Sequence, residues 1–453
     1  MTIFTTEAEA VTYIFRSMRK LRGQERGPDE LVRDSGPTRR LLAALDLLHT
    51  PRDYTVVTGS KGKGSTTVIT AKLLQHLGHT VGTITSPHLV TWRERIRVNG
   101  RAIPESDFLR ILSELAPDID TIEDTLTESQ YFSPQGIFLA IALRWFDEQQ
   151  VTAAVLEVGR GGRFDDIAVV PNKLSLFTPI VLEHVKQLGP TLTNIAWHKA
   201  GIIKPHSHAY SVPQAPEVME VLAREAEMED AQFDWIAPLD MGRYLGKSDK
   251  GIRIQLGRYG EVELSLRGRY QIMNATLAVI AAGNVHARLP GIAHSSPEYV
   301  ERIRAGLKDV TWPGRCQKLQ DEPAVYLDGA INRESAQALL ESLRDELNRP
   351  VISIIGVPDE KDYEGVFSTL GRVSDSVIVT ETARNPSLQF LDGKAAVSAA
   401  RAYNTDVTHA PDLKTAVDQA MPRAGKDGTI LIVGTQSIIA DAIALWGYSY
   451  EVI

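Results

Sequence analysis

The segment Tyr54-Thr-Val-Val-Thr-Gly59-Ser-Lys-Gly62-Lys63-Gly64-Ser65-Thr66 joins an apolar run to a glycine-rich turn, and a helical pattern follows through Leu77. Glycines let the backbone wrap a phosphate, and amides at the start of the helix point toward it. Lys63 supplies a point charge for the β- and γ-phosphates, and the Ser65 hydroxyl can bind Mg²⁺. The spacing is shorter than the common G-x-x-x-x-G-K-[ST] loop, so a turn without nucleotide is the alternative. The flanking strand and helix favour an ATP or GTP site made by Gly59, Gly62, Lys63, Gly64, Ser65 and Thr66.

Outward from this turn, strand-like apolar runs alternate with helical segments, which predicts an α/β fold with a largely parallel sheet. Further candidate strands lie at 80–85, 153–156 and 174–177. Between 252 and 266 apolar residues alternate with polar ones on both sides of Tyr259-Gly260. This pattern is typical of a β-hairpin, and we expect a small antiparallel addition at an edge of the main sheet. A long helix is predicted from about 271 to 286.

A domain junction is predicted near residue 311. The stretch 287–312 is rich in proline, glycine and serine around one amphipathic helix. Beyond it, candidate strands at 324–327, 351–355, 376–380 and 429–433 begin a second α/β pattern. We therefore expect a nucleotide-binding domain at 1–311 and a smaller, Rossmann-like domain at 312–453.

Composition excludes several classes of partner. The chain has 453 residues, 43% of them hydrophobic, and a net charge of −8, which argues against nucleic-acid and membrane-surface binding. Cys316 is the only cysteine, so no disulfide can form within the chain, which fits a reducing cytoplasm. The first twenty residues mix charged and apolar side chains, and no run approaches the ~18 apolar residues of a membrane span. We expect a soluble, cytoplasmic monomer with small-molecule substrates.

Short motifs follow the glycine-rich turn in a fixed order. They are Thr85-Ser86-Pro87-His88-Leu89, Arg93-Glu94-Arg95-Ile96, Leu156-Glu157-Val158-Gly159, Gly161-Gly162-Arg163, Glu183-His184, Lys199-Ala200-Gly201-Ile202-Ile203, Trp312-Pro313-Gly314-Arg315, Asp328-Gly329-Ala330 and Gly434-Thr435. Their order and spacing, from about residue 10 to 440, resemble the folylpolyglutamate synthases and dihydrofolate synthases of the Mur ligase superfamily. The resemblance implies a P-loop ATPase domain and a C-terminal domain that closes over the nucleotide. It implies an ATP-dependent ligase that adds glutamate to a folate or dihydropteroate through an acyl phosphate.

The resemblance also implies two Mg²⁺ sites. Ser65, Ser86 and Glu157 match the family's ligands for the first ion, and their oxygens suit a hard cation. His184 matches a ligand for the second, and Lys199 matches a lysine that CO₂ converts to a carbamate. Carbamylation needs a neutral amine, so we expect the site to lower the pKa of Lys199. Taken alone, His184 is more often structural and Lys199 a solvated surface charge. The catalytic set implied is Lys63, Glu157, His184 and Lys199.

Four further residues are candidates for binding the adenosine. Gln271 and Asn274 lie at the start of the helix that follows the hairpin. Arg315 and Asp328 lie beyond the junction, where arginine on phosphate and aspartate on ribose would sense closure of the second domain. The alternative for Arg315 is a solvated charge in the linker.

Several residues depart from the family's pattern. Ile331 replaces a histidine, Lys61 an asparagine, Tyr270 a histidine and Ser133 a glutamate, and Phe164-Asp165-Asp166-Ile167-Ala168 stands where Leu-Asp-Ala-Thr-Asn is usual. The ATP and metal residues are kept, whereas the substrate-facing ones are changed. A ligase of the same mechanism for another acid and amine is therefore a second hypothesis. An inactive nucleotide-binding subunit is a third, which the retained catalytic set disfavours.

Overall fold

The first sheet carries the glycine-rich turn at one end of its central strand. The computed structural model describes residues 2–21, 23, 27–385 and 387–453. Within these ranges eight strands form this sheet: β1 (Asp53–Thr58), β2 (Val81–Ile84), β3 (Ile96–Val98), β4 (Arg101–Ala102), β5 (Ala153–Glu157), β6 (Leu174–Phe177), β7 (His208–Ser211) and β8 (Gln232–Trp235). Their order is β4-β3-β2-β5-β1-β6-β7-β8, parallel except where β3 pairs with β2 and β4. The predicted parallel α/β fold is confirmed.

Helices cover both faces of this sheet. Those in the described N-terminal part are α1 (Glu7–Ile14), α2 (Arg16–Arg19), α3 (Asp29–Val32), α4 (Gly36–Ala44), α5 (Lys63–His76), α6 (Glu105–Glu123), α7 (Pro134–Glu148), α8 (Val185–Leu188), α9 (Leu192–Ala200), α10 (Pro216–Met228), α11 (Gln271–His286) and α12 (Pro297–Asp309), with 3₁₀ turns at Trp92–Arg95, Asp166–Val169 and Gly257–Tyr259. One apolar core joins the sheet to α4, α6, α7 and α10, and another joins its opposite face to α5, α11 and α12. A sheet buried on both faces explains why its central strands are continuous apolar runs.

The predicted hairpin is present, but its placement at an edge of the main sheet is wrong. In the described chain it belongs to a separate antiparallel sheet of β9 (Arg243–Lys247), β10 (Ile252–Gln255) and β11 (Glu261–Leu264), in the order β11-β10-β9. Its alternating apolar side chains enter the core shared with α5 and α11. The apolar face of this small sheet therefore packs against helices, and among the described residues its strands form no hydrogen bonds with the main sheet.

A second parallel sheet forms the C-terminal part. Among the described residues it contains β12 (Gln317–Gln320), β13 (Ala324–Asp328), β14 (Val351–Gly356), β15 (Ser376–Thr380), β16 (Val407–Ala410) and β17 (Thr429–Gly434). The order is β12-β13-β17-β14-β15-β16, with only β12 antiparallel to its neighbour. The helices around it are α13 (Arg333–Ser342), α14 (Tyr363–Leu370), α15 (Gly393–Ala400), α16 (Leu413–Ala424) and α17 (Gln436–Leu445).

The last residues of the chain return to the first sheet. The amide N of Ile453 donates to Gly100 O at 3.0 Å, and the amide N of Ala102 donates to Glu451 O at 2.7 Å. The buried guanidinium of Arg97 donates to the carbonyls of Tyr450 and Glu451 at 2.6 and 3.0 Å. Residues 450–453, called the tail below, thus tie the C-terminal part to the edge of the first sheet. None of the described helices is both long and apolar enough to cross a bilayer.

Candidate active site

The turn after β1 is held in a shape that only glycine adopts without strain. Gly59 has φ +142° and Gly62 has φ +87°, both in the left-handed half of backbone space. A Cβ on Gly62 would clash with the Asn274 amide oxygen, and one on Gly64 would lie 2.9 Å from the Trp312 ring. Glycine at these two positions therefore lets Asn274 and Trp312 approach the start of α5 closely.

Two side chains of α11 support this turn. Gln271, fully buried, donates from Nε2 to Ser65 Oγ at 3.3 Å. Its Oε1 accepts from Asn274 Nδ2 at 2.8 Å, and Thr66 Oγ1 donates to Asn274 Oδ1 at 3.5 Å. The predicted Gln271 and Asn274 thus lie beside the glycine-rich turn and set the orientation of Ser65 and Thr66.

Glu157 is at the carboxyl end of β5, next to β1. Its carboxylate, 4% exposed, accepts the backbone N–H of Ser86 at 2.9 Å through Oε2. Burial raises the pKa of Glu157, and the charge of Lys63, the amide of Ser86 and the charge of Arg315 oppose that rise. Ser86 and Glu157 are therefore in direct contact, and the charge of Lys63 is close enough to act on Glu157.

Lys199, at the end of α9, is almost completely buried. Its Nζ donates to Gly59 O at 2.7 Å and to Glu183 Oε1 at 3.2 Å. Lys63 Nζ donates to the same Gly59 carbonyl at 3.1 Å. Burial and the nearby Lys63 lower the pKa of Lys199 to about 8, against the opposing effect of Glu183. The expectation of a lowered lysine pKa is met, and the surface-charge alternative is wrong because the side chain is 2% exposed.

His184 lies on the same side of the turn. The sequence pattern predicts His184 at the end of a strand, but β6 ends at Phe177 and His184 instead precedes the short helix α8 with φ +50°. Burial lowers its pKa; Glu183 opposes this and Lys199 adds to it, so the three groups are close enough to interact. No group of three or more His, Cys, Asp or Glu side chains suited to a metal occurs in the described ranges. Any metal here would need hydroxyl, phosphate or modified-lysine oxygens as well.

The candidates beyond the junction face the same region. Asp328, at the carboxyl end of β13, accepts the amide N–H of Cys316 at 2.7 Å and the Tyr270 hydroxyl at 3.2 Å, both on Oδ2. Burial raises the pKa of Asp328, and Arg315 acts most strongly against that rise. Arg315 is half-buried, and its charge favours the ionised form of both Glu157 and Asp328, so it lies near both carboxylates.

Three contacts escaped the sequence analysis. Glu183 was noted only within a motif, yet it is the ion partner of Lys199. Tyr270 was noted only as a departure, yet it binds Asp328. Arg95 lies over the Trp92 ring at 4.4 Å, and burial lowers its pKa to about 10 while Glu157 opposes this. A short motif can suggest such residues, but only the fold shows their partners.

The comparisons with known proteins fit this geometry. The Mur ligase middle domain matches residues 57–282, and the Mur ligase, glutamate ligase domain matches residues 314–436. Fold and site thus define a Mur-type ligase, an ATP-dependent enzyme that forms carbon–nitrogen bonds.

Comparison with individual relatives identifies the family within this class of ligases. The dihydrofolate synthase/folylpolyglutamate synthase of Mycobacterium tuberculosis is 32% identical over 413 residues, covering 84% of this chain and 81% of the relative. The enzyme of the same name from Bacillus subtilis is 32% identical over 329 residues, 71% of this chain and 74% of its own. Crystal structures of Mycobacterium tuberculosis folylpolyglutamate synthase with ADP and AMPPCP align with a TM-score of 0.80 at 28% identity, over 98% of this chain and 100% of that chain. The chain belongs to the folylpolyglutamate synthase/dihydrofolate synthase family.

Proposed function

We propose that this enzyme adds L-glutamate to a folate or to dihydropteroate. In the first step the acid's carboxylate oxygen attacks the γ-phosphorus of ATP, giving an acyl phosphate and ADP. In the second step the amino group of glutamate attacks the acyl carbon, and phosphate leaves as the amide forms. The relatives named above carry these activities in their names, which supports the assignment.

The observation that carries the proposal is that two lysine side chains donate hydrogen bonds to the same backbone carbonyl. Lys63 and Lys199 both donate to Gly59 O, at the mouth of the first sheet beside Glu157. Phosphoryl transfer to a carboxylate brings together two anions, so its rate depends mainly on positioning and on cations around the phosphates. Lys63 and Arg315 supply fixed positive charge there, and the amides at the start of α5 orient the triphosphate.

The same residues fit two Mg²⁺ ions. Ser65 and Ser86 offer hydroxyls and Glu157 a buried carboxylate, all oxygen donors of the kind Mg²⁺ prefers. Mg²⁺, when bound, neutralises charge on the phosphates. His184, Glu183 and a carbamate on Lys199 would serve the second ion. The lowered pKa of Lys199 supports the carbamate, because CO₂ reacts only with the neutral amine.

One observation favours a second candidate, a ligase of the same mechanism acting on a different acid or amine. Ile331 packs with Tyr270 against the apolar C-terminal core, at a position where the family has a histidine. An isoleucine donates no hydrogen bond and carries no charge, so capture of a dicarboxylic amino acid there would lack one polar group.

An ADP-release assay separates the two candidates. Each candidate acid is tested with ATP and Mg²⁺, with and without a panel of amino acids. Release that requires dihydropteroate or tetrahydrofolate together with glutamate is the expected result. Release only with another acid or another amine would replace the first candidate by the second.

A further inference from the structure

Residues 267–270, called the connecting run below, precede α11 of the N-terminal part and contact residues of the C-terminal part. Arg267 Nη1 donates to Glu346 Oε2 at 2.9 Å, and the amide N of Arg269 donates to Ser342 Oγ at 3.1 Å. The hydroxyl of Tyr270 then donates to Asp328 Oδ2. Three contacts within four residues make this run a dense link between the two domains.

The run leads directly into the support of the glycine-rich turn. Tyr270 is the residue before α11, and the first residue of α11 is Gln271, which holds Ser65. Adjacent residues therefore contact opposite sides of the proposed nucleotide site: Gln271 contacts the phosphate side, and Tyr270 contacts Asp328 on the proposed ribose side. The pair therefore joins the glycine-rich turn to the Asp328 side of the site.

The position of the Tyr270 ring is specified by its neighbours. Although its backbone precedes a helix of the N-terminal domain, the ring packs against the C-terminal core that includes Cys316 and Ala330. Gly268 has φ +99°, and a Cβ there would lie 2.7 Å from the ring atom Cε1. The chain thus leaves room for a large aromatic side chain at 270, where the family usually has histidine.

The hydroxyl of Tyr270 has a definite chemical effect on Asp328. A buried carboxylate is costly unless donors satisfy its charge. Burial raises the pKa of Asp328, and the Arg315 charge, the Cys316 amide and the Tyr270 hydroxyl oppose this. With Cys316 and Tyr270 both bonded to Oδ2, the rotation of the carboxylate is fixed, and both contacts favour its ionised form.

Tyrosine and histidine differ in how this contact responds to pH. An imidazole exchanges its proton near neutrality. Burial raises the pKa of Tyr270 far above its ordinary value, so its hydroxyl stays a neutral donor throughout the working range. This chain has tyrosine where the family usually has histidine, so the residue at position 270 beside Asp328 does not titrate near neutral pH.

We infer that Tyr270 is a positioning residue, which holds Asp328 in the orientation that binds the nucleotide ribose and couples that orientation to contact between the domains. This inference rests on the nucleotide role proposed for Asp328. Tyr270 acts through Asp328 and takes no part in the chemical steps.

The test compares Tyr270→Phe with a matched control. Tyr270→Phe keeps the ring and removes only the hydroxyl, so the dissociation constant of ADP by calorimetry and the KM for ATP are expected to rise about tenfold, as for loss of one hydrogen bond to a charged group. The kcat at saturating ATP should change much less. Tyr13→Phe is the control: the Tyr13 hydroxyl donates to Asp120 Oδ1 at 2.7 Å, a matched tyrosine–carboxylate bond between α1 and α6 that does not involve Asp328 or the connecting run. It should leave ADP affinity unchanged.

Tyr270→His supplies a second readout that a purely structural role would not give. The imidazolium form donates strongly to Asp328, so ADP affinity should fall as pH rises between about 5 and 8 in this variant, and stay flat in the unmodified enzyme. Equal ADP affinity in Tyr270→Phe and the unmodified enzyme would overturn the inference, and so would an equal loss in Tyr13→Phe. Failure of the unmodified enzyme to bind ADP would instead overturn the proposed function, and this inference with it.

Discussion

Lys199 Nζ lies 3.2 Å from Glu183 Oε1, in a pocket where the lysine is nearly excluded from water. The pair is unusual because burial lowers the lysine pKa to about 8 even though a carboxylate is beside it. Below both pKa values, a lysine of pKa about 8 has about 300 times more neutral amine than one of 10.5. Lys199 is therefore a cation that readily gives up its proton, as carbamylation requires.

The first prediction concerns CO₂ uptake. At fixed CO₂ pressure, incorporation of isotope-labelled CO₂ should rise with pH and level off above about 8, because the neutral amine is the reactive form. Lys199→Met should abolish the uptake and lower kcat by about a hundredfold or more. Lys204→Met is the control, since burial also lowers the pKa of Lys204. Uptake that is flat with pH, or that survives in Lys199→Met, would contradict the assignment.

The second prediction concerns Glu157 and Mg²⁺. Glu157→Gln keeps an oxygen to accept the Ser86 amide but removes the negative charge, so the Mg²⁺ concentration for half-maximal activity should rise at least about tenfold. Glu123→Gln removes another buried carboxylate, which pairs with Arg16 and Lys20 away from the site. It should leave the Mg²⁺ titration unchanged. An unchanged titration in Glu157→Gln would exclude it as a metal ligand.

A third prediction comes from two departures that meet in one cluster. Burial raises the pKa of Asp166, which stands where the family has alanine, and the nearby side chain of Ser133, which stands where the family has glutamate, opposes that rise. Thr38 Oγ1 also donates to Asp166, at 2.6 Å. In this chain the carboxylate of this buried pair is therefore on Asp166, whereas the family has it at the position of Ser133.

Urea unfolding tests this exchange. Asp166→Ala should cost about 1–3 kcal/mol by leaving buried partners unsatisfied. Ser133→Glu should also destabilise, because it places a second carboxylate beside the first. The double variant should regain most of the loss, since it restores one carboxylate. Losses that simply add would show that the two positions are independent.

The fourth prediction concerns the tail. Gly100 has φ +76°, and a Cβ there would clash with the carbonyl oxygen of Ile453. Gly100→Ala should therefore lower the free energy of unfolding by more than the cost of backbone strain alone. It should also speed hydrogen exchange at the amides of Ala102 and Ile453. Gly447→Ala is matched for strain, with φ +69° and no atom near its Cβ. Equal losses in the two variants would mean that docking of the tail contributes nothing.

Sequence patterns predicted the elements whose burial is regular. β1, β5, β6 and α11 follow unbroken apolar runs or helical spacing, because both faces of the first sheet are covered. β9 was missed because Arg243–Lys247 is short, half-exposed and without alternation. The division at 311/312 stays a prediction.

Side-chain partners were the part of the site that no pattern could supply. Glu183 and Lys199 are on different elements, and their pairing depends on how α9 packs beside the loop after β6. The left-handed backbone of His184 was not predicted either, although histidine is one of the non-glycine residues that adopt it more often. Tyr270 lies directly before α11, a helix of the N-terminal part, but its side chain packs against the apolar core of the C-terminal part. Each of these contacts depends on the docking of two elements, which local sequence does not encode.

The central claim is that the acid is activated as an acyl phosphate. The most direct test of this claim traces the carboxylate oxygens of the acid with an isotope label. With both carboxylate oxygens of the acid isotopically labelled, one labelled oxygen should appear in inorganic phosphate for every amide formed, because the bond broken in the second step joins the acyl carbon to that oxygen. Label found in AMP, or phosphate free of label while amide accumulates, would contradict the account.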